Sequence, residues 1–241
     1  MKSLGIIGFG SFGQFITPHL QSHFNISVYN RSDKSEKAKK LGVKYESLEY
    51  VASMDHVIVC VPVQFMEEML IKIAPMVSEG AKIIDVSSVK VKPVALMKKY
   101  LPKHCEIIAT HPLFGPQSGK NGIKGLNMVL CPGERRTTLE LERFFKDELG
   151  LKVLIRTPDV HDKQMAYVQA LTHFVGRAVN EMDIPDVEQK TPAYQYLLDI
   201  KRNLGGDSYD LFLTIEQENP YAKGVREQFI NELTKLNKSL S

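Results

Sequence analysis

Short apolar runs alternate with amphipathic stretches along residues 1–156. Several of these runs are nearly continuous in Val and Ile, which is typical of strands buried on both faces. The predicted strands span residues 3–7, 26–29, 56–61, 82–86, 106–110, 127–130 and 152–155. The predicted helices span residues 12–23, 34–41, 64–77, 90–100 and 137–149. Regular alternation of strand and helix predicts an α/β fold with a doubly wound, mostly parallel sheet of the Rossmann type.

The pattern changes near residue 157, and no strand is predicted after it. A long helix is expected over 160–183, because apolar side chains recur there at spacings of three and four. These seam residues are Met165, Val168, Thr172, Val175, Val179 and Met182. Further helices are predicted over 193–204, 208–217 and 221–240.

The chain is therefore expected to contain a nucleotide-binding domain at 1–156 and a smaller all-helical domain at 157–241. A unit of about 85 residues is small for an independent core. It is expected to pack against the sheet domain, against a second copy of itself, or both. The seam favours a homodimer through the helical domain, and the alternative is that it packs within one chain.

Composition narrows the class of protein. Lys and Arg number 31 against 28 Asp and Glu, 43% of residues are hydrophobic and 24% are charged. These values fit a globular chain rather than a disordered or strongly basic one, so no nucleic-acid partner is expected. No run is long enough to cross a membrane and no signal peptide precedes the first strand, so we expect a cytoplasmic protein without a membrane partner. Three scattered cysteines fit neither a disulfide framework nor a metal site.

A glycine-rich motif of the form G-x-G-x-x-G follows the first predicted strand and begins the first predicted helix. In this context its glycines permit a tight turn, close approach of a pyrophosphate and close packing of helix on strand. The free amide groups at the helix start then hold the phosphates. The predicted cofactor-binding residues of this motif are Gly8, Phe9, Gly10, Ser11, Phe12 and Gly13.

The residues after the second predicted strand bear on the choice of cofactor. Sites that prefer NAD usually place an acid there, whereas this chain has Asn30, Arg31 and Ser32. Arg31 is suited to a bidentate contact with a 2′-phosphate, so NADP is expected and NAD is less favoured. The alternative is that Arg31 is a solvated surface residue. Val61 and Pro62, where another predicted strand ends, are also expected to contact the cofactor.

The catalytic prediction rests on polar residues that follow neighbouring strands. Ligands of open parallel sheets bind beyond the carboxyl ends of the strands. His111 precedes Pro112, which favours an extended backbone, so we expect it on a stiff loop at the edge of the sheet. Its imidazole could accept a proton from a substrate hydroxyl, with Ser88 as a donor or relay. Alternatively, His111 makes only a structural hydrogen bond, and Ser88 only caps the helix that begins near Lys90.

With these residues the chain resembles the prephenate/arogenate dehydrogenases of tyrosine biosynthesis, and most closely their plant-type, NADP-using branch. The resemblance rests on the glycine motif and on the segments 85–90, 111–118, 161–162, 169–173 and 205–211. It implies oxidative decarboxylation of prephenate or arogenate. His111 would take the proton of the 4-hydroxyl, the nicotinamide would take the hydride, and the ring carboxylate would leave as carbon dioxide. Ser88 would bridge the hydroxyl and the nicotinamide, and no metal would be needed.

Substrate-binding residues are expected in two places. Gln117 and Ser118 lie in the loop after His111. Gln169, His173 and Arg177 follow one another at intervals of four on the long helix, so they should share a face, and Arg177 is a natural partner for a carboxylate. The alternative is a solvated helix face. Cys131 stands where the plant branch has an acid associated with arogenate, which makes prephenate more acceptable as a substrate.

Two other functions remain open from the sequence. A β-hydroxyacid dehydrogenase of the 6-phosphogluconate type would share the glycine motif and the Asn-Arg-Ser segment. It would need a catalytic lysine in a glycine-rich setting, and none of Lys163, Lys190 and Lys201 in the helical domain has such a setting. A non-catalytic NADP-binding redox sensor would keep the glycines but would need neither His111 nor Ser88.

Overall fold

The computed structural model describes residues 1–204 and 206–240. Contacts divide the chain into two compact units, Met1–Pro158 and Asp159–Ser241. The division falls after residue 158, whereas the sequence pattern placed it after residue 156. In the described part of the chain, no helix has both the length and the apolar character needed to cross a membrane.

The first unit is built on one sheet of eight strands in the order β3-β2-β1-β4-β5-β6-β7-β8. All neighbouring strands are parallel except β6 and β7, which are antiparallel. This confirms the predicted doubly wound, mostly parallel fold. The strands are β1 Lys2–Ile7, β2 Phe24–Tyr29, β3 Lys44–Tyr45, β4 His56–Val59, β5 Lys82–Asp85, β6 Glu106–Pro112, β7 Asn127–Cys131 and β8 Lys152–Ile155.

Helices cover both faces of this sheet. They are α1 Ser11–Leu20, α2 Ser35–Lys40, α3 Leu48–Ala52, α4 Val63–Ile73, α5 Val91–Tyr100 and α6 Arg135–Arg143. A 3₁₀ segment, Ala74–Met76, follows α4, and a π-helical segment, Phe144–Glu148, follows α6. Successive residues of a strand point to opposite faces. Ile6 accordingly packs with α1, α2 and α6, whereas Ile7 packs with α3, α4 and α5.

Three details of the first unit differ from the sequence prediction. β3 and α3 were not predicted, because elements of two and five residues leave no recognisable period. β6 runs on to Pro112 rather than ending at residue 110. Its last four residues, 109–112, pair with β7, and this pairing keeps the strand extended past the predicted end.

Every regular secondary-structure element among the described residues of the second unit is a helix. Its helices are α7 Pro158–Met165, α8 Thr172–Glu181, α9 Pro192–Leu204, α10 Tyr209–Gln217 and α11 Ala222–Ser239. The long helix predicted over 160–183 is present from Pro158 to Glu181, but its period is not regular, because the π-helical segment Ala166–Leu171 lies between α7 and α8. The predicted seam is only partly buried, since Val168 is 62% exposed and Met182 is 73% exposed.

Candidate active site

The glycine motif lies at the carboxyl end of β1 and leads into α1. Gly8 has a φ of +99°, and a Cβ atom there would lie 2.6 Å from the carbonyl oxygen of Cys60. A Cβ atom on Gly13 would lie 2.5 Å from the carbonyl oxygen of Gly8, so both positions require glycine. Gly10 differs, because open space surrounds the place where its Cβ would be. Phe9 is fully buried in the core beneath this turn.

The start of α1 fits a dinucleotide phosphate. Gly10 precedes the helix, the first turn contains no acidic residue, and no described side chain caps it. The amide groups of the first turn, beginning with Ser11 and Phe12, therefore present a positive end of the helix beside the open space at Gly10. These residues are suited to hold the pyrophosphate of a nicotinamide dinucleotide.

The segment Asn30–Ser32 forms a small hydrogen-bonded loop after β2. Nδ2 of Asn30 donates to the carbonyl oxygen and to Oγ of Ser32, both at 3.0 Å. The hydroxyl of Tyr45, on β3, donates to the carbonyl oxygen of Asn30 at 2.9 Å and so fixes the loop. The Arg31 guanidinium carbon lies 5.7 Å from the centre of the Phe65 ring, within cation–π range. Tyr45 and Phe65 were not singled out from the sequence.

A buried ion pair connects the end of β5 and the loop after it to β6. Asp85 ends β5, and its carboxylate accepts hydrogen bonds from the amide and hydroxyl of Ser87 and from the ammonium of Lys90. The side chains of Asp85 and Lys90 are both fully buried. Lys90 also donates to the carbonyl oxygen of Thr110 at 2.5 Å, and Thr110 donates from its hydroxyl to the carbonyl oxygen of Asp85 at 2.8 Å. The loop that carries Ser88 is thereby tied to β6.

His111 follows Thr110 directly, but it does not lie on a loop as the sequence predicted. It is part of β6, pairs with Val129 of β7 and is only 3% exposed. The reason is the antiparallel ladder, which incorporates both His111 and Pro112. His111 remains close to the carboxyl end of the strand, where ligands of such sheets bind.

Ser88 lies in the loop between β5 and α5 and is half-buried. Lys90, rather than Ser88, directly precedes α5, and the catalytic role of Ser88 stays a prediction. Val61 and Pro62 lie where β4 leads into α4, and Val61 borders Gly8.

The loop after His111 turns back toward α1. Phe114 is 6% exposed and packs edge-on against Phe15 of α1, with ring centres 6.3 Å apart. Oγ of Ser118 accepts a hydrogen bond from the amide of Gly115 at 3.0 Å, and Gln117 lies exposed in the same turn. The structure therefore gives Ser118 a local partner and leaves Gln117 accessible.

The remaining predicted residues belong to the second unit. His173 and Arg177 lie one helical turn apart on α8, whereas Gln169 lies in the π-helical segment, so the expected regular spacing holds only for the first two. Burial lowers the pKa of His173, although Asp207 at 3.8 Å opposes the shift, and the imidazole is therefore mostly neutral at pH 7. The Arg177 guanidinium carbon lies 4.8 Å from the centre of the Tyr209 ring.

Other motif residues of the second unit have structural partners. Nδ1 of His161 lies 2.7 Å from Oδ1 of Asp162, and both side chains are buried. Asn219, before α11, donates to the carbonyl oxygen of Asp162 at 2.8 Å. This set connects α7 to the segment between α10 and α11. Gly205 of the resemblance segment 205–211 lies outside the described residues.

Cys131 does not join the polar residues at the sheet edge. It is 5% exposed and packs in the apolar cluster formed with α4 and α5. The position therefore gives no support for a preference between the two substrates. Within the described ranges, no group of three or more His, Cys, Asp or Glu side chains could hold a metal ion.

The chain matches two known family models. Residues 18–155 match the family described as prephenate dehydrogenase, nucleotide-binding domain. Residues 178–241 match the family described as TYRAAT1-like, C-terminal domain. The first match covers more than half of the chain, and the second covers most of the helical unit.

Individual relatives agree with these families. The chain is 31% identical to arogenate dehydrogenase 2, chloroplastic, of Arabidopsis thaliana, over 91% of this chain and 64% of the relative. It is 33% identical to arogenate dehydrogenase 1, chloroplastic, of the same plant, over 94% of this chain and 37% of the relative. It thus spans less than two thirds of either relative. A crystal structure of prephenate dehydrogenase from Aquifex aeolicus with hydroxyphenyl propionate and NAD+ shares the fold, with a TM-score of 0.77, 23% identity, and coverage of 100% of this chain and 91% of that one.

Proposed function

The chain belongs to the prephenate dehydrogenase family, and from this premise we propose that it is an oxidoreductase that oxidatively decarboxylates prephenate, arogenate or both, with NADP. The carbon that bears the 4-hydroxyl is oxidised, the ring carboxylate leaves as carbon dioxide, and the ring becomes aromatic. The observation that carries this proposal is the placement of His111, which is buried near the carboxyl end of β6. It directly follows Thr110, whose carbonyl oxygen accepts a hydrogen bond from Lys90.

In this proposal His111 accepts the proton of the substrate hydroxyl. Burial excludes most water from its imidazole, so the substrate hydroxyl is the main group from which the imidazole can take a proton. Ser88 lies on the loop that the Asp85–Lys90 pair anchors beside β6, and it orients the hydroxyl by a hydrogen bond. General-base catalysis of this kind contributes roughly 100- to 10,000-fold to a rate.

The cofactor proposal rests on the two loops at the carboxyl ends of β1 and β2. NADP, when bound, supplies the hydride acceptor. The first turn of α1 holds its pyrophosphate, and Arg31 with Ser32 holds the 2′-phosphate. The ring of Phe65 and the hydrogen bond from Tyr45 support that loop in the required place. No acid stands at Asn30, where NAD-preferring sites usually have one.

Gln117 and Ser118 in the first unit, and Gln169, His173 and Arg177 in the second, stay predicted as substrate-binding residues. Arg177 is the cation suited to a carboxylate, and its guanidinium lies within cation–π distance of the Tyr209 ring and 3.8 Å from Oε1 of Glu181. His173, which burial keeps neutral, is suited to a hydrogen bond rather than to an ion pair. The cytoplasmic location expected from the sequence stays a prediction.

We also propose that the protein is a homodimer formed through the helical unit. Its surface carries several exposed apolar side chains, among them Val168 at 62%, Tyr196 at 69% and Leu236 at 61%. Exposed apolar surface is a feature of association sites where it forms a patch. Size-exclusion chromatography with light scattering should give about twice the 27.2 kDa of one chain. A monomer at all concentrations would overturn the proposal.

The activity is tested by a panel of both substrates against both cofactors, followed by the absorbance of the reduced nicotinamide. We expect turnover with at least one substrate and higher kcat/KM with NADP. His111→Asn should lower kcat by roughly 100- to 10,000-fold while NADP still binds. The matched control is His104→Asn, because His104 lies just before the other end of β6 and its Nε2 is 3.0 Å from the carbonyl oxygen of Val77.

The same measurements distinguish the proposed activity from the two alternative functions, a redox sensor and a β-hydroxyacid dehydrogenase. A redox sensor would bind NADP equally well with or without His111 and would show no turnover with either substrate. A β-hydroxyacid dehydrogenase would oxidise simple hydroxyacids without releasing carbon dioxide. Equal turnover of His111→Asn and the parent protein would overturn the catalytic role proposed for His111.

A further inference from the structure

The first unit contains an apolar cavity of about 200 Å³ that the proposed reaction does not use. It lies between the sheet and the helices α1 and α6, with the π-helical segment after α6 closing one side. Ile16, Ile58, Ile84, Met128, Leu141 and Phe144 contribute to its walls. We call this space the sheet cavity.

The topology of the sheet explains why this space is open. β6 and β7 are antiparallel, so the connection between them, residues 113–126, returns through turns instead of a crossover helix. The face over β4, β5 and β6 is therefore lined by side chains that reach across from α1, from α6 and from the π-helical segment that follows α6. These apolar side chains surround the space without filling it.

Strand periodicity identifies the residues that face the sheet cavity. His56 and Ile58 are two residues apart on β4, and Lys82 and Ile84 are two residues apart on β5. All four side chains therefore point to the face of the sheet that borders the cavity. Thr110 and Pro112 also line it. His111 lies between them and points to the opposite face, which separates the cavity from the proposed catalytic imidazole.

His56 lines the cavity, and one of its ring nitrogens has no hydrogen-bond partner in the part of the chain that the structure describes. His56 is 8% exposed, and among the described residues its Nδ1 accepts and donates no hydrogen bond. Its ring lies 5.5 Å from the ring of Phe24. Buried polar groups in folded proteins are nearly always hydrogen-bonded, so an unpartnered imidazole nitrogen beside a cavity points to a ligand.

The character of the walls defines what fits. Burial, with the charges of Lys2 and Lys82 adding to it, lowers the pKa of His56, so its imidazole is neutral at pH 7. Lys82, which also lines the cavity, is paired with an acid, since its Nζ lies 3.4 Å from Oε2 of Glu140. A fully charged ligand would lose its hydration in the apolar interior without a strong partner. An apolar cavity of about 150 Å³ is known to accept a benzene ring.

We propose that the sheet cavity is a second small-molecule site, which takes a neutral, ring-sized aromatic molecule with one hydrogen-bonding group, a phenol. The aromatic ring lies among Ile58, Ile84 and Phe144, and the hydroxyl pairs with Nδ1 of His56. A phenol is neutral at pH 7, because its pKa is about 10. This site does not depend on the proposed dehydrogenase activity.

The test is a titration of the full chain with phenol and with toluene, followed by the methyl NMR signals of Ile58, Ile84 and Met128. We expect saturable shifts at these methyl groups, with phenol binding about 3- to 10-fold more tightly than toluene because of one net hydrogen bond. His56→Leu should remove this preference while toluene still binds. Ile84→Phe should abolish binding of both, since the larger ring fills the space.

Folding is checked separately, so that each result is decisive. His56→Leu places an apolar side chain in an apolar wall and is expected to fold, and His104→Leu is the matched control that should leave both affinities unchanged. Absence of saturable shifts overturns the site. Equal affinities for phenol and toluene overturn the role of His56. Shifts centred on Val89, beside Ser88, would show that the probes bind at the proposed active site instead, and would overturn the proposal as well.

Discussion

The ammonium of Lys90 donates a hydrogen bond to the carbonyl oxygen of Thr110 at 2.5 Å, inside a part of the fold where both residues are buried. The same ammonium pairs with the carboxylate of Asp85 at the end of β5. One side chain thus joins the loop of Ser88 to the residue that precedes His111. The relative position of the two proposed catalytic groups depends on this buried charge.

Lys90→Met should lower the free energy of unfolding by about 3–5 kcal/mol, because it leaves the Asp85 carboxylate buried without its counter-ion. The double variant Asp85→Asn with Lys90→Met should recover part of this loss, since no unpaired charge then remains. Guanidinium denaturation of the three proteins measures both effects.

The matched control for this prediction is Lys72→Met. Lys72 also pairs with an acid, Glu68, but the two side chains are 55% and 64% exposed, so their pairing should contribute no measurable stability. A single Lys90→Met variant that is as stable as Lys72→Met would contradict the importance assigned to the buried pair.

The strands of the sheet could be predicted because their Val and Ile runs satisfy burial on both faces, which composition and spacing reveal. The placement of His111 could not, because its inclusion in β6 depends on pairing with β7, a contact between segments that are distant in sequence. The short strand β3 escaped prediction for a related reason. It has only two residues, and one of them, Tyr45, donates a hydrogen bond to Asn30, a contact that no local sequence pattern predicts.

Asp85 and Lys90 belong to the segment 85–90, which supports the family resemblance, but the sequence alone predicts no role for either side chain. An acid at the end of an apolar strand and a lysine five residues later were the available signal. Neither local pattern nor propensity indicates that both side chains are fully buried, because that follows from the packing of α5 and β6 around them. The π-helical segment that displaces Gln169 from the face of His173 is likewise invisible to a regular helical period.

Arg31→Met should weaken the binding of NADP by about 10- to 100-fold, because charge-assisted hydrogen bonds of about 1.5–3 kcal/mol to the 2′-phosphate are lost. Binding of NAD, which lacks that phosphate, should change little. Isothermal titration with each cofactor measures the difference. Arg136→Met, at a residue of α6 whose side chain is 84% exposed, is the control and should change neither affinity. A parallel loss of NAD and NADP binding in Arg31→Met would contradict the assignment.

The stability of the first unit should fall in mild acid because of His56. Burial and the neighbouring Lys2 and Lys82 lower the pKa of His56 from its ordinary 6.5, so the unfolded chain takes up a proton there before the folded protein does. The contribution of the neutral His56 imidazole to the free energy of unfolding is complete above about pH 6.5. It is lost progressively below that pH, with a slope of at most about 1.4 kcal/mol per pH unit. His56→Leu should flatten this part of the profile, and His104→Leu should not. Urea denaturation at several pH values measures it.

Two glycines of the same motif should respond oppositely to substitution by alanine. At Gly10 a Cβ atom meets nothing within 4 Å, so Gly10→Ala should fold with unchanged thermal stability. It should nevertheless lose dinucleotide binding, because the new methyl group occupies the space that a pyrophosphate needs at the start of α1. At Gly13 a Cβ atom would lie 2.5 Å from the carbonyl oxygen of Gly8, so Gly13→Ala should lower the melting temperature.

Gly224→Ala is the matched control for this pair, since its Cβ also meets nothing within 4 Å but lies on α11 in the other unit. It should keep full cofactor affinity and, because alanine replaces glycine in the first turn of a helix, should gain at most about 0.5–1 kcal/mol of stability. Thermal melts with and without NADP separate the outcomes, because a bound cofactor raises the melting temperature only where binding survives. If NADP still raised the melting temperature of Gly10→Ala as it does for the parent protein, the phosphate would not lie against Gly10, and the proposed cofactor site would be wrong.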